Sequence, residues 1–388
     1  MSKIVRMAQD FYQVALDKHE TRIVNNILKM ESFEPITNNV PAKIKNIAIV
    51  VPTLKKYAGG HTSILRIGTC LVENNYNVTY VSFHNQDIRQ MRQVASDNLP
   101  GVKGNFKKYL DATNERYDVC IATSWESVYW SKQLDGYKMY FVQDFEPYFF
   151  KLSERYLLAK KTYELGFHIV SLGGWNVKKI QEHCSIKGKI SYIDFPYEPS
   201  EYKSIPRNFA AYAKKSVVNI AVYSKEEGKR IPNLLQGILK RASTELEQDG
   251  ISLKIKFFGF KKNHKIIIGE NCGKLNKREL AQLYEKSDFG MVASMSNISL
   301  VPYEMIAVGL PVIEFVEGSY ADFLPEDSAI LIDYNYKTLV AAIKNALKHP
   351  EQIEKMTKKA SIAIAPLSWK RTGKEFVEIL HGIEGQEE

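Results

Sequence analysis

Two series of short apolar runs alternate with helical patterns along this chain, and one polar break separates the two series. The runs are rich in β-branched residues, as in NIAIVVPTL at 46–54, which is typical of strands buried on both faces of a parallel sheet. Strands that alternate with helices predict a parallel sheet with helices on both of its faces. The sequence therefore predicts an α/β protein with two doubly wound, Rossmann-like domains that face a cleft.

The break lies at YEPSEYKSIPRN, 197–208, which is rich in proline and charge. It divides the chain into a predicted N-terminal domain, 1–205, and a second domain, 206–365. A terminal segment, 366–388, follows, and its apolar spacing predicts a helix over 366–384. The strands expected before the break are 46–54, 77–83, 117–123, 137–143, 167–172 and 190–195, and those after it are 217–224, 253–260, 265–270, 289–294, 311–316 and 329–333. Helices are expected at 63–73, 151–165, 175–184, 232–247, 277–286, 303–308 and 336–348, and residues 1–40 carry a further amphipathic helical pattern outside this scheme.

Composition excludes several classes of protein. Of the 388 residues, 45% are apolar and 25% are charged, which is typical of globular domains, and no apolar run is long enough for a spanning helix. Charges interrupt the N-terminal segment too early for a secretory signal, and four separated cysteines match no zinc pattern and favour the cytoplasm. The net charge of +9 suits an anionic ligand or a membrane surface. Without a basic tail or a recognition motif, nucleic acid is not an expected partner.

Two polar clusters that follow predicted strands are candidates for binding an anion, because ligands of open α/β sheets bind at the carboxyl ends of strands. Gly59 and Gly60 follow the first strand and precede a helix, where a phosphate can approach the backbone. Their spacing fits neither a dinucleotide fingerprint nor a P-loop, so a plain turn with a Thr or Ser helix cap is the alternative. Lys225 and Arg230 precede a predicted helix start at Pro232 and suit a diphosphate, with ordinary exposed loop cations as the alternative.

A third cluster, SMSNISLVP, leads from the predicted strand at 289–294 into the helix at 303–308. The backbone amides of Ser299, Leu300 and Val301 can face a phosphate there. Glu304, in the first turn of this helix, can accept hydrogen bonds from sugar hydroxyls, although a first-turn glutamate also favours a helix by itself.

The stretch YFVQDFEPYFF, 140–150, sets Gln143, Asp144 and Glu146 among aromatic rings at the end of a strand. If the strand continues, Asp144 and Glu146 share one face. Rings and hydrogen-bond acceptors suit a sugar, and either carboxylate could take the proton of an acceptor hydroxyl, so Asp144 and Glu146 are the candidate catalytic residues. The alternative is a capped helix start at Pro147 with buried rings. The spacing resembles a metal-binding D-x-D, but the two cations of the second domain supply positive charge, so a metal is not expected.

The segment NISLVPYEMIAVGLPVIE, 297–314, resembles the nucleotide-binding signature of family 4 glycosyltransferases, which have the GT-B fold. In that signature seven residues separate two glutamates; Glu304 is assigned to the second and Asn297 to the place of the first. Segments around 219–230 and 273–294 and the glycine pair match in order, over most of residues 45–380. YFVQDFEP, with SLGGW after it, resembles the rhamnan-synthesis branch of this family.

The resemblance implies transfer of a sugar, L-rhamnose from deoxythymidine-diphosphate (dTDP) L-rhamnose, to a growing bacterial cell-surface glycan with retention, and a terminal helix that returns to the N-terminal domain. The donor contacts that it implies are Lys225 and Arg230 at the diphosphate, Ser299, Leu300 and Val301 at a phosphate, Glu304 at the ribose, Leu275 beside the base, and Gly59 and Gly60 closing over the diphosphate. Asn297, as an amide, can orient a hydroxyl but cannot act as an acid, base or nucleophile.

The partners expected from this resemblance are a dTDP-sugar donor as substrate, a glycan acceptor that could be linked to a lipid at the inner face of the membrane, and a second copy of the chain; no resident cofactor is expected. Two other classes stay open. One is a nucleotide-sugar epimerase or a phosphorylase of the same fold, which would keep the motifs of the second domain. The other is a non-catalytic protein that binds a sugar or nucleotide.

Overall fold

The computed structural model describes residue 18, residues 20–226 and residues 228–384, and these form the two α/β domains that the sequence predicts. Within the described residues, the first domain is built on a seven-stranded sheet and the second on a six-stranded sheet. Every strand pair is parallel. The doubly wound fold class is therefore confirmed.

The strands are short, and most are buried on both faces. Those of the first sheet are β1 (Asn46–Val51), β2 (Asn77–Ser82), β3 (Asn105–Lys108), β4 (Val119–Ala122), β5 (Tyr137–Val142), β6 (His168–Leu172) and β7 (Ile190–Ile193). Those of the second are β8 (Val217–Tyr223), β9 (Ser252–Phe258), β10 (Glu270–Gly273), β11 (Phe289–Met291), β12 (Val312–Phe315) and β13 (Ile330–Ile332). The strand order is β3-β2-β1-β4-β5-β6-β7 in the first sheet and β10-β9-β8-β11-β12-β13 in the second.

Helices cover both faces of each sheet, as parallel sheets require. Residues 20–30 form α1, and the helices that follow are α2 (Gly59–Glu73), α3 (Ile88–Asn98), α4 (Tyr109–Ala112), α5 (Trp125–Lys132), α6 (Glu154–Lys161), α7 (Gly174–His183), α8 (Pro232–Gln248), α9 (Lys277–Glu285), α10 (Leu300–Ala307), α11 (Tyr336–Lys348), α12 (Pro350–Ile364) and α13 (Trp369–His381). Among the described helices, none combines the length and the apolar character needed to cross a bilayer.

The strand order fixes where a ligand can bind. In the first sheet the chain runs outward from β1 to β3 and then returns to β4 on the other side of β1, and the second sheet repeats this pattern around β8 and β11. The loops after these central strands diverge at the carboxyl edge, which is the usual ligand site of such sheets. The loops concerned are those that follow Val51, Ala122, Tyr223 and Met291.

The terminal helix returns to the first domain, as expected. The rings of Phe141 in β5 and Phe376 in α13 lie 6.0 Å apart, nearly perpendicular to each other. The backbone N–H of Asp194 donates to Glu375 over 2.7 Å, and a Cβ at Gly373 would lie 2.3 Å from the sulfur of Cys70 in α2. Glycine at 373 therefore lets α13 pack closely on α2.

Several boundaries differ from the expectation, each for a local reason. The expected strand at 265–270 is wrong: β10 begins at Glu270, and the apolar side chains of Ile266 and Ile268 pack on the core from a loop. Strand β3, NFKK, was not expected because it is a polar edge strand, and lysines are common at sheet edges. Of the N-terminal helical pattern, residues 1–17 and 19 lie outside the described residues.

Candidate active site

A cavity of about 530 Å³ lies where the two domains meet, between α2, the connecting segment at 197–208, α9, α10 and α13. Four of the sequence-predicted donor residues line it together: Gly59, Leu275, Leu300 and Glu304. They come from three separate segments of the chain. We call this space the interdomain cavity.

Helix α10 brings Glu304 to the cavity. The helix begins at Leu300 rather than at 303, because Pro302 fits within a first turn, where its missing N–H costs nothing. Glu304 therefore lies in the second turn, and its expected place in the first turn is wrong. Ser299 stands at the N-cap with an extended backbone, and its hydroxyl makes no cap hydrogen bond. The amides of Leu300 and Val301 are at the helix start, as expected, where α-helices leave N–H groups unpaired.

The carboxyl group of Glu304 is enclosed by protein on most sides but keeps part of its surface open to the cavity. This burial raises its pKa, the hydrogen bond from the Tyr202 hydroxyl lowers it, and the nearby charge of Glu201 raises it further. A carboxylate held by a single phenol retains free lone pairs. Glu304 can therefore accept hydrogen bonds from a hydroxylated ligand.

A chain of ion pairs joins both domains and the connecting segment at the cavity. Arg66 of α2 contacts Glu198 at 3.2 Å and Glu201 at 2.6 Å, and its guanidinium lies 5.5 Å from the centre of the Trp369 ring. Lys277 of the second domain contacts the same Glu201 at 2.5 Å. None of these residues was expected at the site from the sequence, because the connecting segment has the composition of a plain linker.

The glycine pair does not form a loop. Gly59 and Gly60 are the first two residues of α2, whose N-cap is Ala58, and the expected loop is wrong at this point. Thr62 and Ser63 do not cap the helix either, since their hydroxyls donate to carbonyls one turn earlier. Because Gly59 lines the cavity, the start of α2 supplies unpaired backbone amides there.

The two cations that the sequence predicts at the site, Lys225 and Arg230, differ in burial and in contacts. Arg230 is only 4% exposed and donates to the carbonyl of Ala293 over 3.0 Å, so it holds the loop after β11. Lys225 is half-buried, with its ammonium 5.9 Å from the Tyr223 ring. Neither residue lines the interdomain cavity. Ile231, next in the chain, has a left-handed backbone (φ 39°) that is unusual for a β-branched residue and indicates a constrained loop.

Lys229, which the sequence did not single out, reaches the first domain. Its ammonium pairs with Asp144 at 3.0 Å and lies 4.0 Å from the centre of the Phe149 ring. The segment GKR offers two adjacent cations, and the sequence alone does not show which of them faces inward. The structure buries Arg230 and directs Lys229 across the cleft.

Asp144 is buried at the contact between the domains. It accepts hydrogen bonds from the hydroxyl of Ser296 at 3.0 Å and from the backbone N–H of Asn297 at 3.1 Å, in addition to the Lys229 pair. Asn297 also donates from its side chain to the carbonyls of Gln143 and Leu172, at 2.8 and 2.9 Å. We call Asp144, Lys229, Ser296 and Asn297 the Asp144 junction.

The residue spacing changes one detail of the resemblance to the family 4 signature. Seven residues lie between Ser296 and Glu304, so Ser296, and not Asn297, occupies the place of the first glutamate. The side-chain oxygen of Asn297 is buried and has no hydrogen-bond partner among the described residues. Asn297 is therefore held mainly through its N–H groups, which tie the second domain to strand ends of the first.

Glu146 points the other way, because the strand does not continue through it and the condition for a face shared with Asp144 is not met. Strand β5 ends at Val142, and residues Glu146–Phe149 form a short 3₁₀ helix. The carboxylate of Glu146 accepts a hydrogen bond from the backbone N–H of Trp125 at 2.7 Å inside the first domain. Burial raises its pKa to about 8. Of the two candidate catalytic carboxylates, only Asp144 faces the second domain.

The aromatic rings of 140–150 divide in the same way. Tyr140, Phe141 and Phe145 are buried in the first domain, whereas Tyr148 and Phe149 are about 40% exposed. In the part of the chain that the structure describes, no group of three or more His, Cys, Asp or Glu side chains is arranged to hold a metal ion.

Solved structures share this fold, although no family model and no curated protein matches the chain. Sucrose-phosphate synthase from Thermosynechococcus elongatus has a TM-score of 0.67 at 12% identity, over 87% of this chain and 99% of that one. HepE from Anabaena, in complex with UDP-glucose, has a TM-score of 0.68 at 12% identity, over 87% and 99%. WaaG, a glycosyltransferase involved in lipopolysaccharide biosynthesis, has a TM-score of 0.58 at 13% identity, over 87% and 100%. These similarities show the GT-B fold.

Proposed function

We propose that this protein is a glycosyltransferase that binds a nucleoside-diphosphate sugar in the interdomain cavity. The observation that carries the proposal is the meeting of Gly59, Leu275, Leu300 and Glu304 around one space. Gly59 was a candidate from the glycine pair, Leu300 and Glu304 were candidates from the segment after β11, and Leu275 was expected from the family resemblance. These three segments are far apart in the chain. A volume of about 530 Å³ is in the range of pockets that hold small-molecule ligands.

The cavity and its surroundings offer a partner for each part of such a donor. Glu304 accepts hydrogen bonds from the ribose hydroxyls, and Leu275 supplies apolar surface for the base. The N-terminal amides of α2 and α10, which include those of Gly60, Leu300 and Val301, bind the phosphates; the Ser299 hydroxyl adds a polar contact beside them.

The cationic loop stabilises the negative charge that develops on the leaving diphosphate. Neither Lys225 nor Lys229 lines the cavity itself, so both are proposed to bind a diphosphate that extends out of it, and Arg230 holds the loop in place through the carbonyl of Ala293. Since these side chains supply positive charge, the proposed reaction needs no metal.

Asp144 is the carboxylate proposed to act at the reacting sugar. The groups that hydrogen-bond to its carboxylate belong to the second domain or to the next residue of its own chain. A small opening of the domains would therefore expose the carboxylate to an acceptor hydroxyl, which it could orient or deprotonate. Glu146 is proposed to support it indirectly by fixing the start of α5 at Trp125.

The finer proposal is transfer of L-rhamnose from dTDP-L-rhamnose, with retention, to a cell-surface glycan at the cytoplasmic face of the membrane. Its support is the resemblance of YFVQDFEP and SLGGW to the rhamnan-synthesis branch. An epimerase would consume no acceptor, and a binding protein would not turn over the donor. Assays with dTDP-L-rhamnose therefore separate these three activities by their products.

A thermal-shift panel of thymidine, uridine, guanosine and adenosine diphosphates tests the proposal. A nucleotide at one hundred times its dissociation constant should add about 2.7 kcal/mol to the free energy of unfolding. We expect thymidine diphosphate to give the largest shift. Equal shifts for all four would remove the rhamnose assignment and leave the nucleotide site, whereas no shift with any of them would contradict the proposed function.

A further inference from the structure

A second cavity, of about 310 Å³, lies at the carboxyl edge of the first sheet. The chain leaves β2 at Ser82 and enters this cavity with Phe83, His84 and Asn85; it leaves β4 at Ala122 and lines the cavity with Glu126 and Trp130 of α5. Because all strands are parallel, this is the same edge that carries Asp144 and the start of α2. We call this space the α1 cavity.

Helix α1 forms the outer wall of the α1 cavity through Arg22, Ile23, Asn26 and Ile27. The helix is not part of the sheet-and-helix repeat, so the two-domain fold alone does not require it. It is nevertheless held firmly, since Ile27 is buried in the same core cluster as Trp125 and Tyr129 of α5.

Polar contacts also fix α1 and the opposite rim. Glu31, just after the helix, pairs with Lys132 of α5, and Gln133 donates to the carbonyl of Met30 over 3.0 Å. On the opposite side, the buried side chain of Gln86 exchanges hydrogen bonds with the backbone of Leu54 at 2.9 and 3.1 Å. The cavity is therefore enclosed by anchored elements on both sides.

The cavity combines polar groups of the types that bind neutral hydroxylated ligands. The imidazole of His84 lies 4.0 Å from the carboxyl of Glu126, and amide side chains are supplied by Asn26 from α1 and by Asn85 from the loop after β2. Desolvation raises the pKa of Glu126, which is the expected effect for a carboxyl group drawn into a partly enclosed space. Carboxylate and amide groups together both accept and donate hydrogen bonds.

An aromatic wall completes the cavity. Trp130 is half-buried and stacks on Phe83 with ring centres 5.6 Å apart, while Tyr109 contacts it edge-on at 4.8 Å. Its ring is thus held in one orientation and presents apolar surface to the cavity. An apolar ring face beside convergent polar groups suits one sugar ring, which is apolar on its C–H face and polar at its edge.

We propose that the α1 cavity binds a neutral sugar unit of the glycan acceptor, and that α1 is present in this chain to build it. That the sugar is an acceptor rests on the proposed function. That the cavity binds a sugar does not. A neutral ligand is favoured over a phosphate because the lining pairs one cation, Arg22, with one carboxylate, Glu126, and so offers no excess positive charge. The acceptor would then extend along the carboxyl edge toward Asp144.

Two adjacent asparagines of α1 provide a matched test. Asn26 lines the cavity, whereas Asn25 is exposed on the same helix outside it. Asn26→Ala and Asn25→Ala change helix propensity equally, so they differ only in the cavity contact. Binding of methyl α-L-rhamnoside to the full chain, measured by ligand-observed NMR titration, should be several-fold weaker for Asn26→Ala and unchanged for Asn25→Ala.

Glu126→Gln tests the carboxylate in the same titration, with Glu154→Gln as its control, since Glu154 is an exposed first-turn glutamate of α6. Loss of a hydrogen bond to a charged group predicts about tenfold weaker rhamnoside binding for Glu126→Gln. Both Asn26→Ala and Glu126→Gln should keep the wild-type thermal shift with thymidine diphosphate. In a transfer assay with the rhamnoside as acceptor, both should have a higher KM for the acceptor and an unchanged KM for the donor.

The outcomes separate the two proposals. If the wild-type chain does not bind the rhamnoside, or if Asn26→Ala and Glu126→Gln bind it as well as their controls do, this inference is overturned, whatever the nucleotide panel shows. If rhamnoside binding depends on Asn26 and Glu126 while no nucleoside diphosphate binds, the sugar site stands and the proposed transferase function fails.

Discussion

Two of the contacts between the domains use similar residues in opposite ways. At the Asp144 junction a buried carboxylate is fully engaged by Lys229, Ser296 and Asn297. At the interdomain cavity another enclosed carboxyl, Glu304, bonds to one phenol and faces open space. The junction thus holds the domains together, and the cavity is left for a ligand.

The junction is polar, although the domains also meet through apolar rings, such as Phe195 stacked on Tyr303 with ring centres 5.2 Å apart. Polar contacts between domains resemble those of transient interfaces, and relative domain motion is the default expectation for them. When the domains separate, the polar atoms of the junction can be solvated by water.

A sharper contrast lies within the motif YFVQDFEP. Asp144 and Glu146 are two residues apart, yet Asp144 faces the second domain and Glu146 faces the core of the first. The 3₁₀ helix that begins at Glu146 turns the chain between them. Their titration and their mutation should therefore have different consequences.

The largest expected effect concerns Glu146. Its pKa is raised to about 8 in the folded protein from an ordinary value of 4.5, so the unfolded chain releases the proton first and the free energy of unfolding falls as pH rises through that interval. With about 1.4 kcal/mol per pH unit, the loss over that interval is on the order of 5 kcal/mol. Glu146→Gln can still accept the hydrogen bond from Trp125 and should lack this part of the pH dependence.

Chemical denaturation of the wild type and Glu146→Gln at pH 5 and pH 8 measures the effect. The variant should gain stability relative to the wild type as the pH increases, and exposed Glu154→Gln should not. Parallel pH profiles for the wild type and Glu146→Gln would mean that Glu146 is not held in a desolvated core site.

The second effect tests the Asp144 junction. Lys229→Met leaves Asp144 buried without its ion pair, and we expect a loss of about 3 kcal/mol in the free energy of unfolding, since an unpaired buried charge is costly. Lys261→Met, in the same domain, breaks an exposed pair with Glu226 and should cost less than about 1 kcal/mol. Equal losses for the two variants would show that the junction is as weak as a surface ion pair.

The third effect tests the interdomain cavity. Glu304→Gln removes a charged acceptor and should weaken binding of a nucleoside diphosphate about ten- to a hundredfold, measured by titration calorimetry. Exposed Glu285→Gln in α9 is the control. Because the pKa of Glu304 is raised, wild-type affinity should fall as pH is lowered through that pKa, and Glu304→Gln should not show this dependence. Full affinity in Glu304→Gln would separate Glu304 from the nucleotide.

The smallest effect concerns Ser296. Ser296→Ala removes one hydrogen bond from Asp144 and keeps the Lys229 pair and the Asn297 N–H, so we expect a loss of about 1 kcal/mol in the free energy of unfolding. Ser361→Ala changes an exposed serine whose hydroxyl bonds to the carbonyl of Thr357 in its own helix, and it should change stability less. If Ser296→Ala costs as much as Lys229→Met, the hydroxyl and not the ion pair dominates the junction.

The strands were predictable where burial shaped their composition. Runs such as IAIVV, 47–51, are apolar throughout because both faces of a parallel strand are covered. The edge strand NFKK carries no such signal, since one side of an edge strand has no neighbour to pack on. The start of α10 was missed because Pro302 suggests a loop, although proline is well accommodated in a first turn.

The sequence predicts which segments form the site but not which way their side chains point. The position of Glu304 followed from its place after a strand end, where ligands of parallel sheets bind, whereas Leu275 was expected only from the family resemblance; both line the cavity. Local sequence does not show which way adjacent side chains point, so Lys229 was overlooked beside Arg230. The roles of Tyr202 and Arg66 depend on contacts between distant segments, which no local pattern records.

Filling the interdomain cavity tests the central claim most directly. Leu275→Trp places a large ring in the space proposed for the base, and Leu234→Trp makes the same change at an exposed position of α8. For the nucleoside diphosphate that stabilises the wild type most, we predict that Leu275→Trp loses the thermal shift and that Leu234→Trp retains it. A folded Leu275→Trp variant that binds this nucleotide with wild-type affinity would contradict the claim that the cavity is the donor site.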